Sequence, residues 1–267
     1  MAAAARAHLE SLLRAKKLDA TLTHLRPALD AGRPLLPLGH AEIDARLGGG
    51  LPRGELSEIA GARSTGRTTL MCAALASATA AGGAAALVDA LDRFDVESAA
   101  ATGVQLGNLL WVRGVAASVE AIRASGHAAP GNTSSLWRAV ERALKAFTVV
   151  LESRAFGLAV CDLADVPPPV LRRLPFTTWL RLARLIEGGS TAALLVAPER
   201  AGRSAGGVTI VLGGAAAPRW RGASARARLF DGIAPQARVL GRASHGGSHG
   251  GAHGGSGSVR RTVQPGQ

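Results

Sequence analysis

The sequence predicts an α/β fold with a mostly parallel sheet flanked by helices, and three observations carry that expectation. Short apolar runs alternate with helical segments from about Leu38 to Val211, the rhythm of βαβ units. One strand-to-helix junction in that stretch, Gly61 to Thr69, has the spacing of a phosphate-binding loop. The 267 residues, 47% hydrophobic, suffice for one large or two modest domains with a sizeable core and exclude global disorder.

Three regions are expected along the chain. In residues 1–30, Leu9, Leu12, Leu13 and Leu18 fall at helical spacing among Arg and Lys, which predicts a short amphipathic helix that packs on its own core or on a neighbour. A Pro-rich linker runs from Pro27 to Pro37. Residues 31–242 form the core. Its strands are read at Leu56–Ile59, Ala84–Val88, Leu109–Val112, Gly157–Cys161 and Thr191–Val196, with helices at Thr68–Ala80, Leu136–Glu152 and Val170–Glu187. Ala116 to Ser135, with Gly126, Pro130, Gly131 and Asn132, reads as a surface insertion. Beyond Pro198 the chain turns Gly- and Arg-rich, with short strands expected at Gly207–Leu212 and Ala237–Leu240. Residues 243–267 place His245, His249 and His253 in a His-Gly-Gly repeat that cannot bury a core and predicts a disordered tail. Imidazole suits zinc, copper and nickel, but no rigid surrounding shell can form there, and no metal is assigned.

The net charge is +12, from 31 Lys+Arg against 19 Asp+Glu. Residues 203–267 hold nine Arg and a single acid, Asp231, so most of the excess sits in the last quarter. That favours nucleic acid, nucleotide or another polyanion as partner; an Arg-biased solvated surface is the other reading of the same charge. Cys72 and Cys161 are the only cysteines, too few and too far apart for a disulfide framework or a close-spaced zinc motif, and fit a reducing compartment. The N-terminus lacks a basic start followed by an apolar run. The longest uncharged stretch, residues 68–88, is mostly Ala, Gly, Ser and Thr and reads as helix, turn and strand. A cytoplasmic location, with nucleoid association compatible, and no membrane partner are expected.

The chemistry concentrates where a strand ends near Ile59 and a helix starts near Thr68. Between them lies Gly-x-x-x-x-Gly, then a basic residue and Thr. Gly61 and Gly66 allow close backbone approaches, so that successive N–H groups of Gly61, Ala62, Arg63, Ser64, Thr65, Gly66, Arg67, Thr68 and Thr69 can face phosphate oxygens, and the helix N-terminus adds partial positive charge. Thr68 is placed to offer its hydroxyl to Mg²⁺. Arg67 stands where the pattern asks for Lys; its guanidinium is planar and forked where an ammonium is a compact charge. Triphosphate binding is expected, efficient hydrolysis is not. The apolar strand Gly157–Cys161 runs into Asp162, a second candidate Mg²⁺ ligand. Gly-rich turns without a ligand, and an Asp that caps a strand end, are the structural alternatives.

The longer run Leu38-Gly39-His40-Ala41-Glu42-Ile43-Asp44-Ala45-Arg46-Leu47-Gly48-Gly49-Gly50-Leu51-Pro52-Arg53-Gly54 leads directly into that loop. With Asp89-Ala90-Leu91-Asp92-Arg93-Phe94-Asp95 and Gly103-Val104-Gln105-Leu106-Gly107-Asn108-Leu109-Leu110, it resembles the bacterial RecA recombinases over about residues 38–113, with a weaker echo to about 212. The resemblance implies a RecA-type P-loop NTPase core, ATP and Mg²⁺ as cofactors, DNA, chiefly single-stranded, as partner, and self- or hetero-association through an N-terminal segment. Where that family places a catalytic Glu this chain has Leu91, which cannot act as a general base; neighbouring Asp92 is the only catalytic candidate. Ser98 stands where the family stacks a Tyr on adenine. Ala197-Pro198-Glu199-Arg200 lacks the family's Asn-Gln sensor, and the recombinase's C-terminal domain is expected to be absent. Arg200 and Arg203 border a flexible stretch that is either a second DNA loop or an ordinary connection. Arg219 and Arg221 flank Trp220, which either stacks on a base or packs on the domain. The shortened chain with its weakened ATP site resembles the ImuA-like accessory proteins, implying a role in damage-induced translesion synthesis beside a polymerase-related partner. A divergent DNA-dependent ATPase or recombinase, and a nucleotide-free scaffold, are the competing readings.

Overall fold

A computed structural model describes residues 34–80, 82–116, 130–202, 206–213, 217–224, 226–234 and 236–240. The expected N-terminal helix at 1–30, Arg203 and the His-Gly tail lie outside the described residues. The elements run β1 (Leu35–Leu36), α1 (Ala41–Arg46), β2 (Leu51–Pro52), β3 (Leu56–Gly61), α2 (Arg67–Ala80), β4 (Ala85–Asp89), α3 (Val96–Ala101), β5 (Leu109–Arg113), α4 (Pro130–Ser153), β6 (Leu158–Asp162), α5 (Pro168–Leu171), α6 (Phe176–Ile186), β7 (Ala192–Ala197), β8 (Gly206–Leu212), β9 (Ala217–Arg221), β10 (Leu229–Ala234) and β11 (Ala237–Leu240).

Seven strands form one sheet in the order β11-β8-β3-β7-β6-β4-β5. Every neighbouring pair is parallel except β11 on β8. The strands β3, β4 and β7 are buried along their whole length, which explains why β4 and β7 read as nearly continuous apolar runs, since a central parallel strand is covered on both faces, while β3 buries Ser57 and Glu58 among its apolar residues. Alternate residues divide between two cores. Ala86, Val88, Ala159, Cys161, Ala193 and Leu195 meet Val140, Phe147, Leu151, Trp179 and Leu182 of α4 and α6. Ala85, Leu87, Leu158, Val160, Leu194 and Val196 meet Leu70, Met71, Leu75 and Ala78 of α2.

The expected mostly parallel α/β core is thus present, with three local differences. The single helix expected over Val170–Glu187 is two, α5 and α6, because Pro175 has no N–H to donate and disfavours helical backbone at Leu174. Of the expected insertion at Ala116–Ser135, residues 117–129 lie outside the described residues and 130–135 are helical, since α4 begins at Pro130, and proline is at home in a first helical position. Two antiparallel pairs, β1–β2 and β9–β10, add small sheets of their own. At the first, Gly50 has φ +144°, and a Cβ there would lie 2.2 Å from the Leu36 carbonyl oxygen, so the run Gly48-Gly49-Gly50 is what lets the segment before the phosphate loop fold back on itself.

Candidate nucleotide site

Parallel topology brings the carboxyl ends of β3, β4 and β6 to one edge, the usual place for a ligand crevice in an α/β sheet. β3 delivers the Gly61–Gly66 turn and α2 follows at once from Arg67. Within the turn Ser64 and Gly66 have φ of +63° and +93°, and the Thr65 hydroxyl donates to the Ala62 carbonyl at 2.7 Å. A Cβ on Gly61 would fall 2.5 Å from Thr65 Oγ1 and 2.9 Å from the Leu212 carbonyl oxygen, so β8 and the turn together require glycine at this position.

Arg67 does not project from the turn. Its side chain is 6% exposed and folds back, with Nη1 donating to the Gly61 carbonyl at 2.7 Å and Nη2 to Asp165 Oδ1 at 2.9 Å. Arg63 Nε donates to the same Asp165 oxygen at 3.2 Å. Burial lowers the Arg67 pKa while Asp165 and then Asp162 oppose the shift; a guanidinium remains charged through such a perturbation. Both basic side chains of the loop are therefore engaged by one carboxylate. Sequence reasoning missed Asp165, whose signal was an acid three residues beyond the strand-end Asp162.

The remaining walls of the cleft, a cavity of about 70 Å³, include Thr68, Asp89, Leu91, Arg93 and Asp162. Asp162 lies opposite Asp89 in the β4–β6 register and accepts from the Ala164 N–H at 2.8 Å. Burial pushes its carboxyl up to about 7, the Asp89 charge adding to the rise and the Ala164 hydrogen bond and Arg67 opposing it. Asp89 is buried and accepts from the Leu91 and Phe94 N–H groups at 3.3 and 2.8 Å. Thr68 and Asp162 thus share the cleft as a hydroxyl and a carboxylate, a donor set that fits Mg²⁺, which takes few protein ligands and completes its shell with water and phosphate. Among the described residues no group of three or more His, Cys, Asp or Glu is arranged so that it could hold a metal ion by itself.

The other predicted site residues fall elsewhere. Leu91 is buried in the cleft wall, but Asp92 faces Arg113, which holds both its oxygens at 2.8 Å and its carboxyl below the usual range. Tied in this way, Asp92 is not among the residues that line the cleft. Ser98 serves the start of α3, where Asp95 caps it and accepts from Ser98 Oγ. Arg200 borders an open hollow beside Gly61 and Ala62, while Arg219 and Arg221 belong to the separate β9–β10 hairpin. A second residue overlooked in the sequence is Glu58, a buried acid inside β3. Its Oε1 accepts from the N–H groups of Ala201 and Gly202 at 2.6 and 2.9 Å, tying the strand that feeds the phosphate loop to the segment after β7.

Residues 32–118 match the RecA N-terminal domain. This stretch is RecA-like, and the mostly parallel sheet flanked by helices fits a RecA-type core. Protein RecA of Frankia alni is 45% identical over 86 residues, that of Streptomyces avermitilis 40% over 110, and that of Acidothermus cellulolyticus 48% over 77. These segments take in 32%, 36% and 28% of this chain and 24%, 29% and 22% of the relatives, so the RecA-like stretch spans less than a third of the length of these RecA proteins. It contains the phosphate loop, Asp89 and Leu91; Asp162 and Asp165 lie beyond the matched domain. Among the described residues no helix is long and apolar enough to cross a membrane.

Proposed function

We propose that this chain is a RecA-like DNA-repair accessory protein, closest in character to the ImuA-like proteins, that binds ATP without turning it over and contacts DNA through arginine. In this reading it supports damage-induced translesion synthesis beside a polymerase-related partner, in the cytoplasm or on the nucleoid. The observation that carries it is the Arg67 guanidinium held between the Gly61 carbonyl and Asp165, in a cleft where Leu91 stands at the position at which the resembled recombinases place a Glu. The backbone of Gly61 to Thr69 would hold the phosphates, and Thr68 with Asp162 the Mg²⁺, which would neutralise phosphate charge. Leu91 cannot activate water, and this is the reason that turnover is not expected. A nucleotide-free scaffold is the second reading, favoured by the same Arg67 contacts, because the loop's basic groups already have an anionic partner.

Nucleotide binding and phosphate release, measured with and without single-stranded DNA, test the proposal. Saturable Mg–ATP binding without turnover is expected. Rapid DNA-stimulated turnover abolished by Arg67→Ala would establish an ATPase instead, and absence of nucleotide binding would establish the scaffold.

A further inference from the structure

The β9–β10 hairpin forms a two-stranded sheet separate from the seven-stranded one, and its side chains are unusual for such a position. Trp220 and Phe230 are directly opposed across the strands and pack edge-to-face with ring centroids 5.7 Å apart. They nevertheless remain 48% and 59% exposed. The Arg228 guanidinium lies 4.8 Å from the Trp220 ring centroid, and Arg221, Arg226 and Arg228 are all exposed. Between residues 217 and 240 the sequence sets five Arg against one acid, Asp231. The alternative expected from sequence, that Trp220 packs on the domain, is not what the fold shows: its aromatic partner belongs to its own hairpin.

We propose that this hairpin is a binding site for single-stranded nucleic acid, with Trp220 and Phe230 as a stacking platform and Arg221 and Arg228 as phosphate-binding groups. The proposal rests on the DNA-contacting reading above and assigns it a place. Two features select this occupant. An exposed aromatic pair offers faces to unpaired bases of any sequence, and stacking on such faces is the sequence-tolerant part of single-strand binding. The concentration of arginine with one opposing acid suits a polyphosphate and repels a basic partner. Arg228 already demonstrates that the indole face accepts a flat cationic group. A base that stacks there exchanges with the guanidinium, which moves out to the flanking phosphate. Duplex DNA keeps its bases stacked inside and gains only the phosphate interactions.

Fluorescence anisotropy of labelled dT20, rU20 and a 20-base-pair duplex, titrated with the full chain and its variants, tests the site. The single strands are expected to bind more tightly than the duplex. Trp220→Ala should weaken the single strand by about tenfold with an unchanged salt dependence, and Trp220→Phe should restore most of the affinity. Arg221→Gln with Arg228→Gln should lower the salt slope by about 0.7 for each phosphate that is no longer neutralised. All three positions are exposed, and a thermal melt confirms that each variant is folded. Preference for dT20 over rU20 points to DNA as the source, and equal binding of both supports the site for either strand.

If the native chain binds dT20 but Trp220→Ala binds it equally well, the hairpin assignment is overturned while DNA binding elsewhere on the chain stands. No binding of any oligonucleotide overturns both the hairpin and the DNA-contacting reading. Self-association abolished in Trp220→Ala with nucleic-acid affinity intact gives the face to a second copy of the chain and overturns the proposal.

Discussion

Arginine and lysine differ here by geometry more than by charge. Both reach the centre of a phosphate loop, but only the forked guanidinium can donate to the Gly61 carbonyl and to Asp165 at once. Asp165 consequently competes with any incoming phosphate for Arg67 and, at 3.2 Å, for Arg63. Replacing the carboxylate by its amide keeps the size and removes the competing charge. Asp165→Asn is therefore expected to raise affinity for a non-hydrolysable ATP analogue by roughly tenfold, the scale of one charge-assisted hydrogen bond of about 1.5 kcal/mol. Calorimetric titration of the two proteins checks it; an unchanged or lower affinity would show that Arg67 does not have to leave Asp165 for nucleotide to bind. The loop itself was legible in the sequence because its spacing is fixed by backbone geometry. Asp165 was not, because its role depends on β6 ending beside α2, a tertiary fact that spacing along the chain does not encode.

At the scale of elements, β3 links the two ends of the site. Its terminus enters the phosphate loop, and Glu58 within it receives the Ala201 and Gly202 N–H groups, while its Oε2 is buried with no hydrogen-bond partner among the described residues. Burial raises the Glu58 pKa, and the two backbone hydrogen bonds with the nearby Arg200 oppose the rise. With the folded-state pKa above the unfolded one, the folded form holds its proton more firmly, so stability falls as pH climbs through the folded pKa. Glu58→Gln keeps an oxygen acceptor for both N–H groups and cannot ionise. Its melting temperature should exceed that of the native protein by a few degrees at pH 8, and the difference should vanish at pH 4, where both side chains are neutral. A gain that persists at pH 4 would mean that packing, not ionisation, sets it. Elements of this kind divide sharply in legibility. The buried strands β4, β6 and β7 announced themselves through apolar runs, whereas β1, β2 and α1, of two, two and six residues, are too short for a hydrophobic period, and the break between α5 and α6 turned on Pro175 alone.

Over the whole molecule, one sheet carries two cores, and β3, β4, β6 and β7 each feed both. Residues 86 and 88 of β4 belong to one core and residues 85 and 87 to the other, so loss of packing on one face removes the backing of the opposite face. The described core should therefore unfold as a unit. Tryptophans provide a probe on each side: Trp179 of α6 is buried in the cluster with α4, and Trp111 packs against the opposite cluster and against Phe94, with ring centroids 5.5 Å apart. Phe147, the largest fully buried side chain, lies in the Trp179 core. Phe147→Ala creates a cavity there and is expected to destabilise the protein by about 3–5 kcal/mol. The distinguishing measurement uses two backgrounds in which only Trp111 or only Trp179 is kept and the other three of the four tryptophans are changed to Phe, so that fluorescence reports one face at a time. If the sheet couples the cores, Phe147→Ala shifts the urea midpoint equally in both backgrounds, including the one whose probe lies across the sheet from the cavity. A shift confined to the Trp179 side would show that the two faces melt separately, and that the site edge shared by β3, β4 and β6 is held by the α2 face alone.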